Sequence, residues 1–160
     1  MGALINLQGV DNFHKVSDFL YRSAQPTSEG MKNLKEFGIK TIVNLRTFHS
    51  DRDEIGTLNL NYYHIYMKTW HPEFEDAVKF LKIVTDKTNV PSLVHCLHGS
   101  DRTGTMVAVY RIVVQNWSKQ CAVQEMVHGN YGFHAIWIDL PYWLKYLDIE
   151  SLRIKIGRQK

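Results

Sequence analysis

The chain has 160 residues, of which 44% are hydrophobic and 22% charged, with a formal net charge of +3 and two cysteines. That length lets one domain over 1–160 bury roughly 70% of the surface its unfolded chain exposes, and no apolar run approaches the about 18 residues of a membrane span. Two cysteines cannot make a disulfide framework, and the mild charge excludes a strongly basic nucleic-acid surface: Arg153, Lys155, Arg158 and Lys160 read as a solvated helix end.

Strands and helices alternate along the chain without repeats or a linker, which predicts an α/β fold, a central and mostly parallel sheet flanked by helices. Arg22 and Arg46 each stand near the end of a predicted strand, where they can add positive potential round a pocket, although a surface or ion-paired arginine is the more ordinary reading. Thr27 is the expected N-cap of a helix whose inner face is Met31, Leu34 and Phe37 and which Gly38 ends. The strand Ile39 to Leu45 follows, then a short polar turn around Asp51 to Glu54 and a strand from Tyr62 to Met67. Phe74, Ala77 or Val78, Leu81 and Val84 mark the inner stripe of the next helix. Pro91-Ser92-Leu93-Val94 reads as the end of a buried strand, and Thr105 to Val114 is apolar nearly all round, as a core helix should be. Ser118 caps a helix that stops near Gly129, with Cys121 packed beside Ala122, Met126 and Val127. Asp139 to Ile156 gives one or two more helices.

Between that buried strand and the core helix lies His95-Cys96-Leu97-His98-Gly99-Ser100-Asp101-Arg102-Thr103-Gly104. A loop in this position turns backbone N–H groups inward, where they bind an anion and the helix dipole adds positive charge. The same field favours a thiolate at Cys96. Arg102 offers a planar fork that bonds two phosphoryl oxygens at once and stays charged, which lysine cannot reproduce. Gly99 permits the positive backbone angle and close approach of a curled loop, and Gly104 lets the helix start pack closely. A cysteine ending a buried strand is ordinarily an inert core thiol; the arginine, glycine and threonine spacing reverses that reading. His95, Cys96 and His98 are too close together to form a tetrahedral metal site, so neither a metal nor another cofactor is expected.

The loop matches the Cys-x5-Arg signature followed by Ser or Thr, and the chain resembles the small bacterial dual-specificity phosphatases of the cysteine-based class over almost its whole length. Tyr21-Arg22-Ser23-Ala24-Gln25-Pro26, Thr41 to Arg46 and Ile112 to Ser118 share in the resemblance. It implies a metal-independent phosphomonoesterase acting through a phosphocysteine intermediate. Cys96 is then the nucleophile and Arg102 the clamp. Leu97, His98, Gly99, Ser100, Thr103 and Gly104 form the substrate-binding loop, with the Thr103 hydroxyl bonded to the sulfur and His95 orienting the loop from behind.

The family usually carries an acidic aspartate on a separate loop roughly thirty residues before the cysteine, to protonate the leaving oxygen. The corresponding stretch, Tyr66 to Asp76, has no aspartate at the expected place. Asp101, placed as in the myotubularin and Sac-type lipid phosphatases, is the first candidate to replace it, unless its carboxylate only shapes the loop or pairs with Arg102. His71 and either Glu73 or Asp76 are alternatives; Glu73, Glu75 and Asp76 also read as ordinary acids of a helix start. Tyr131, Phe133 and His134 can wall the site or lie in core and turn. Tyr62, Tyr63, Tyr66 and Trp70 are expected on the rim side.

A phosphorylated protein or a small phosphorylated molecule is the expected partner. The absence of lysine at Leu97, His98, Ser100 and Asp101 favours a phosphotyrosine or mixed-specificity substrate over inositol phosphates and phosphoinositides, although the Asp101 analogy points toward lipids. A phosphate-recognising binding module with little turnover is the reading from another class, and sulfur or arsenate chemistry is a weaker one. No charged and apolar leader opens the chain, so a cytoplasmic location is expected for a complete chain, and a periplasmic one if a leader has been removed. No sequence feature assigns an oligomeric state.

Overall fold

The computed structural model describes residues 1–158, so Lys160 of the basic tail lies outside the described residues. In chain order the elements are β1 (Ala3–Leu4), β2 (His14–Lys15), β3 (Leu20–Ser23), α1 (Ser28–Phe37), β4 (Thr41–Asn44), α2 (Arg52–Ile55) and β5 (Asn61–His64). They continue with α3 (Phe74–Val84), β6 (Ser92–His95), α4 (Asp101–Val113), α5 (Lys119–His128), α6 (Asp139–Tyr146) and α7 (Ile149–Lys155). The strands form one six-stranded sheet in the order β1-β2-β3-β6-β4-β5. β3, β6, β4 and β5 run parallel, in register through Tyr21, Leu93, Ile42 and Tyr62, whereas β1 and β2 add an antiparallel edge that the sequence does not announce.

Alternation along the strands divides the core between the two faces of the sheet. Tyr21, Ile42 and Leu93 pack with Phe13, Met31 and Leu34 beneath α1, while Leu20, Val43 and Val94 pack with residues of α3 to α7. β6 has parallel neighbours on both sides and is buried at every position, its polar ends Ser92 and His95 included.

The helix boundaries follow local chemistry. The Thr27 side chain accepts from Gly30 N at 3.0 Å, and Gly38 closes α1 in the left-handed conformation at φ 115°. Met31 and Leu34 are fully buried. Phe37 is 43% exposed rather than inward, meeting Phe13 and Tyr21 edge-on. The α3 stripe is as expected, with Phe80 added. α5 is rotated from its expected phase: Ala122, Glu125 and Met126 face inward, and Cys121, expected to be packed, is exposed.

α4 is buried along almost its whole length, and Arg111, the buried charge near its end, is paired. Arg111 Nε and Nη2 donate to the two Glu125 oxygens, each at 2.8 Å, tying α4 to α5. Arg153, expected in a solvated helix end, is 8% exposed and donates to the Ile112 carbonyl at 3.3 Å. Among the described residues no helix is long and apolar enough to cross a membrane.

Candidate active site

β6 ends at His95, and the chain turns through residues 96–100 into α4. Cys96 is 3% exposed at the carboxyl end of a strand with parallel neighbours on both sides, where open α/β sheets bind ligands. The first-turn amides of a helix have no partner within it, so the start of α4 offers N–H donors and partial positive charge to an anion.

Several elements hold the loop in its curl. Gln25 N donates to the Leu97 carbonyl at 3.1 Å, Asn12 Nδ2 to the His98 carbonyl at 3.1 Å, and Ser100 Oγ to the Tyr131 carbonyl at 2.6 Å. Gly99 has φ +72°, and a Cβ there would come within 2.5 Å of the Ser23 carbonyl, so only glycine fits. At Gly104 a Cβ would sit 3.0 Å from Met126 Cγ, the close helix packing expected of it.

Arg22 corrects the expectation of a surface or ion-paired side chain. It is 1% exposed, donates from Nη2 to the Gly99 carbonyl at 2.8 Å and lies 3.7 Å from the centroid of the Tyr131 ring. Burial pulls its guanidinium down to about 10, against the charges of Tyr131, Glu125 and Cys96, so it remains a cation at neutral pH. Arg46 stays half-buried and donates to Gln25 Oε1 at 3.1 Å.

Behind the loop His95 is wholly buried. Its Nδ1 lies 3.0 Å from the Cys96 carbonyl and its Nε2 meets the Asp51 carboxylate. Both ring nitrogens are therefore engaged and unavailable for a metal shared with Cys96 and His98. Asp51, expected in a polar turn, is 0% exposed just before α2. Burial pushes its carboxyl up, but the hydrogen bond and charge of His95, with help from Gln25 and His49, hold it below the usual carboxylate range. His49, Asp51 and Glu54 bring possible ligand atoms within 4.8 Å of one another, although the Asp51 oxygens already serve His95 and Gln25.

The pocket over Cys96 has a volume of about 280 Å³. Its walls are Cys96, Leu97, His98, Asp101 and Arg102 from the loop and helix start, joined by Thr69, His134, Ile136 and Trp137. The Arg102 side chain makes no hydrogen bond or ion pair among the described residues, in contrast to Arg22, Arg46, Arg111 and Arg153. The Thr103 hydroxyl, expected on the sulfur, is buried without a hydrogen-bond partner.

The candidate acids separate. Asp101 lines the pocket at 6% exposure, with both oxygens engaged by one residue: His134 N donates to Oδ1 at 2.9 Å, and His134 Nδ1 lies 2.7 Å from Oδ2. His71 instead lines a separate cleft of about 550 Å³ with Trp70, Tyr142 and Trp143. Glu73 precedes α3, 59% exposed, and its backbone N donates to Asp76. Burial, with the charge of Glu73, pushes the Asp76 carboxyl up against the hydrogen bond from the Glu73 backbone. From the 66–76 stretch only Thr69 reaches the walls of the Cys96 pocket, and a hydroxyl is no acid near neutral pH.

The aromatic rim also differs from expectation. The Tyr62 hydroxyl accepts from Asp51 N at 3.0 Å, Tyr66 stacks on His64 with ring centroids 3.9 Å apart, and Trp70 lines the other cleft; Trp137 is the aromatic wall at Cys96. Ile136 and Trp137 lie on the irregular segment before α6, which has no periodicity from which a pocket position could be read.

A parallel sheet that delivers a buried thiol and an unpaired guanidinium to one small concavity defines the class of cysteine-dependent phosphatases. The family model described as "DSP-PTPase phosphatase fused to NAD+ Kinase" matches residues 6–136, and the chain belongs to this dual-specificity and tyrosine phosphatase family. It is 33% identical over 157 residues to the dual specificity protein phosphatase TpbA of Pseudomonas aeruginosa, covering 94% of this chain and 70% of that one. It is 31% identical over 150 residues to the inositol diphosphatase DSP3 of Arabidopsis thaliana, covering 89% and 72%. A crystal structure of a P. aeruginosa TpbA variant in complex with pTyr superposes with a TM-score of 0.86 at 28% identity, covering 99% of this chain and 96% of that one.

Proposed function

We propose that the chain hydrolyses phosphotyrosine in proteins, or a chemically similar aryl phosphate, with Cys96 as nucleophile and Arg102 as clamp. The observation that carries this reading is Arg102: a guanidinium without a partner among the described residues, on the same small pocket as the buried Cys96 thiol. In the first step Cys96 Sγ forms a bond to phosphorus while the bond to the leaving oxygen breaks and that oxygen takes a proton. In the second, water attacks phosphorus, the P–S bond breaks and the thiolate returns. Arg102 and the amides at the α4 start hold the phosphoryl oxygens, more strongly in the transition state than in the ground state. Leu97, His98, Gly99 and Ser100 shape the cradle, and Gly104 lets α4 begin close to α5.

The apolar walls Leu97, Ile136 and Trp137 suit a phenyl ring, and pTyr is the ligand of the TpbA complex. The name of DSP3 favours a second reading, an inositol phosphate substrate, which the lack of lysine in the loop disfavours. Two free thiols suit a reducing compartment such as the cytoplasm. Profiling wild type against phosphotyrosine peptides, phosphoserine peptides, phosphoinositides and inositol phosphates tests the substrate: kcat/KM is expected highest for phosphotyrosine peptides. Preference for inositol phosphates selects the second reading, and failure to turn over even an activated aryl phosphate leaves a binding module.

A further inference from the structure

We propose that His134 is the proton donor of this site and that Asp101 is its positioning residue. The inference rests on the phosphatase reading of Cys96 and Arg102. A phenolic leaving group with a high pKa needs a proton as the P–O bond breaks, and the loop from which the family usually supplies one presents Thr69 here. Asp101, the obvious substitute, has Oδ1 on the backbone N of His134 and Oδ2 on its Nδ1. A carboxylate bound in this way is an acceptor on both oxygens and has no proton to give.

The same contacts fix the partner. An ionised Oδ2 accepts from Nδ1 and so holds a proton on that nitrogen, and the backbone contact fixes where the residue sits. Nε2 makes no hydrogen bond among the described residues, and the His134 side chain is 47% exposed on the wall of the Cys96 pocket. An imidazole can carry a proton on each nitrogen, so Nε2 can donate while Nδ1 stays bonded to Asp101. The charged or titratable groups around it are Asp101 on α4, the His98 ring with its centroid 5.2 Å away, and Arg102 and Cys96 in the same pocket.

In the first step Nε2–H gives its proton to the leaving oxygen as S–P forms and P–O breaks, leaving neutral His134. In the second, Nε2 takes a proton from the attacking water as O–P forms and P–S breaks, so the imidazolium and the thiolate are both restored. The two residues are 33 positions apart, Asp101 in the first turn of α4 and His134 after the α5 stop, and the fold brings them together beside the nucleophile.

The test compares rates across a series of aryl phosphates, from activated phenols to phosphotyrosine, for wild type, His134→Asn and Asp101→Asn. Asparagine at 134 keeps a side-chain N–H for Asp101 but removes Nε2. The expected result is a loss of about 100-fold on phosphotyrosine with only a few-fold loss on activated esters. That loss steepens the dependence of rate on leaving-group pKa in both variants, and His134→Asn loses the high-pH limb of the kcat profile. A steeper dependence in Asp101→Asn alone assigns the proton to Asp101 and overturns the proposal, as does an equal loss on every ester. Vanadate binding reports whether each variant keeps the loop. Turnover that survives Cys96→Ser refutes the phosphatase reading itself, a failure distinct from that of the proton donor.

Discussion

His95 and Asp51 meet as a wholly buried pair directly behind Cys96, 44 residues apart in sequence. Because the other His95 nitrogen faces the Cys96 carbonyl, both nitrogens point at acceptors. The two contacts fix the peptide at which β6 turns into the loop. The remaining Asp51 oxygen accepts from Gln25 Nε2, whose backbone N in turn holds Leu97, so one carboxylate braces both sides of the curl.

Asp51 therefore makes the fold pH-sensitive in a definite direction. Its folded pKa lies below the unfolded value of about 3.9, so its stabilising contribution is full above that pH and is lost as pH falls through the lower folded value. Asp51→Asn is expected to cost about 2–3 kcal/mol at pH 7, with the gap to wild type narrowing below about pH 4. Urea unfolding at the two pH values measures this, and a gap that stays constant contradicts the role given to the pair.

Gly99→Ala should be severe for a backbone reason. A side chain at φ +72° is strained, and its Cβ would lie 2.5 Å from the Ser23 carbonyl. The variant is expected to lose at least about 2 kcal/mol of stability and nearly all vanadate binding. Wild-type vanadate affinity in a folded variant would show that the loop does not need this approach to β3.

Arg102→Lys is expected to lower kcat/KM at least about 100-fold, since one ammonium cannot replace a bidentate fork on a transferring phosphoryl group. Stability should hardly change, because Arg102 has no partner among the described residues to lose. Arg22→Lys should behave in the opposite proportion, with unfolding at lower urea from the loss of the Gly99 contact and the Tyr131 stack. Kinetics and urea melts on both variants check the contrast; a large stability loss at Arg102 would mean it is tied into the fold.

The elements that local chemistry governs were readable from sequence: the Thr27 and Gly38 ends of α1, the α3 stripe, and the run from buried strand to apolar helix around Cys96. β1 and β2 have two residues each, too few to show a period, and α2 is a single polar turn. Arg22 and Asp51 look like surface residues by type, and only the tertiary fold reveals the partners that make their burial tolerable. Cys121 is exposed because its neighbours fit two phases of a helix, and burying Glu125 on Arg111 selects the one that turns Cys121 outward. The contact of Asp101 with His134 is long-range, and no spacing rule joins a helix start to an irregular segment.

Rapid quench reads the proposed passage of phosphorus through the sulfur of Cys96. Wild-type protein mixed with a 32P-labelled phosphotyrosine peptide, stopped within the first turnovers and mapped by peptide, is predicted to carry label on the peptide containing Cys96. Cys96→Ser should bind the substrate yet neither turn it over nor take up label. Label on a histidine, or undiminished turnover by Cys96→Ser, would contradict the account.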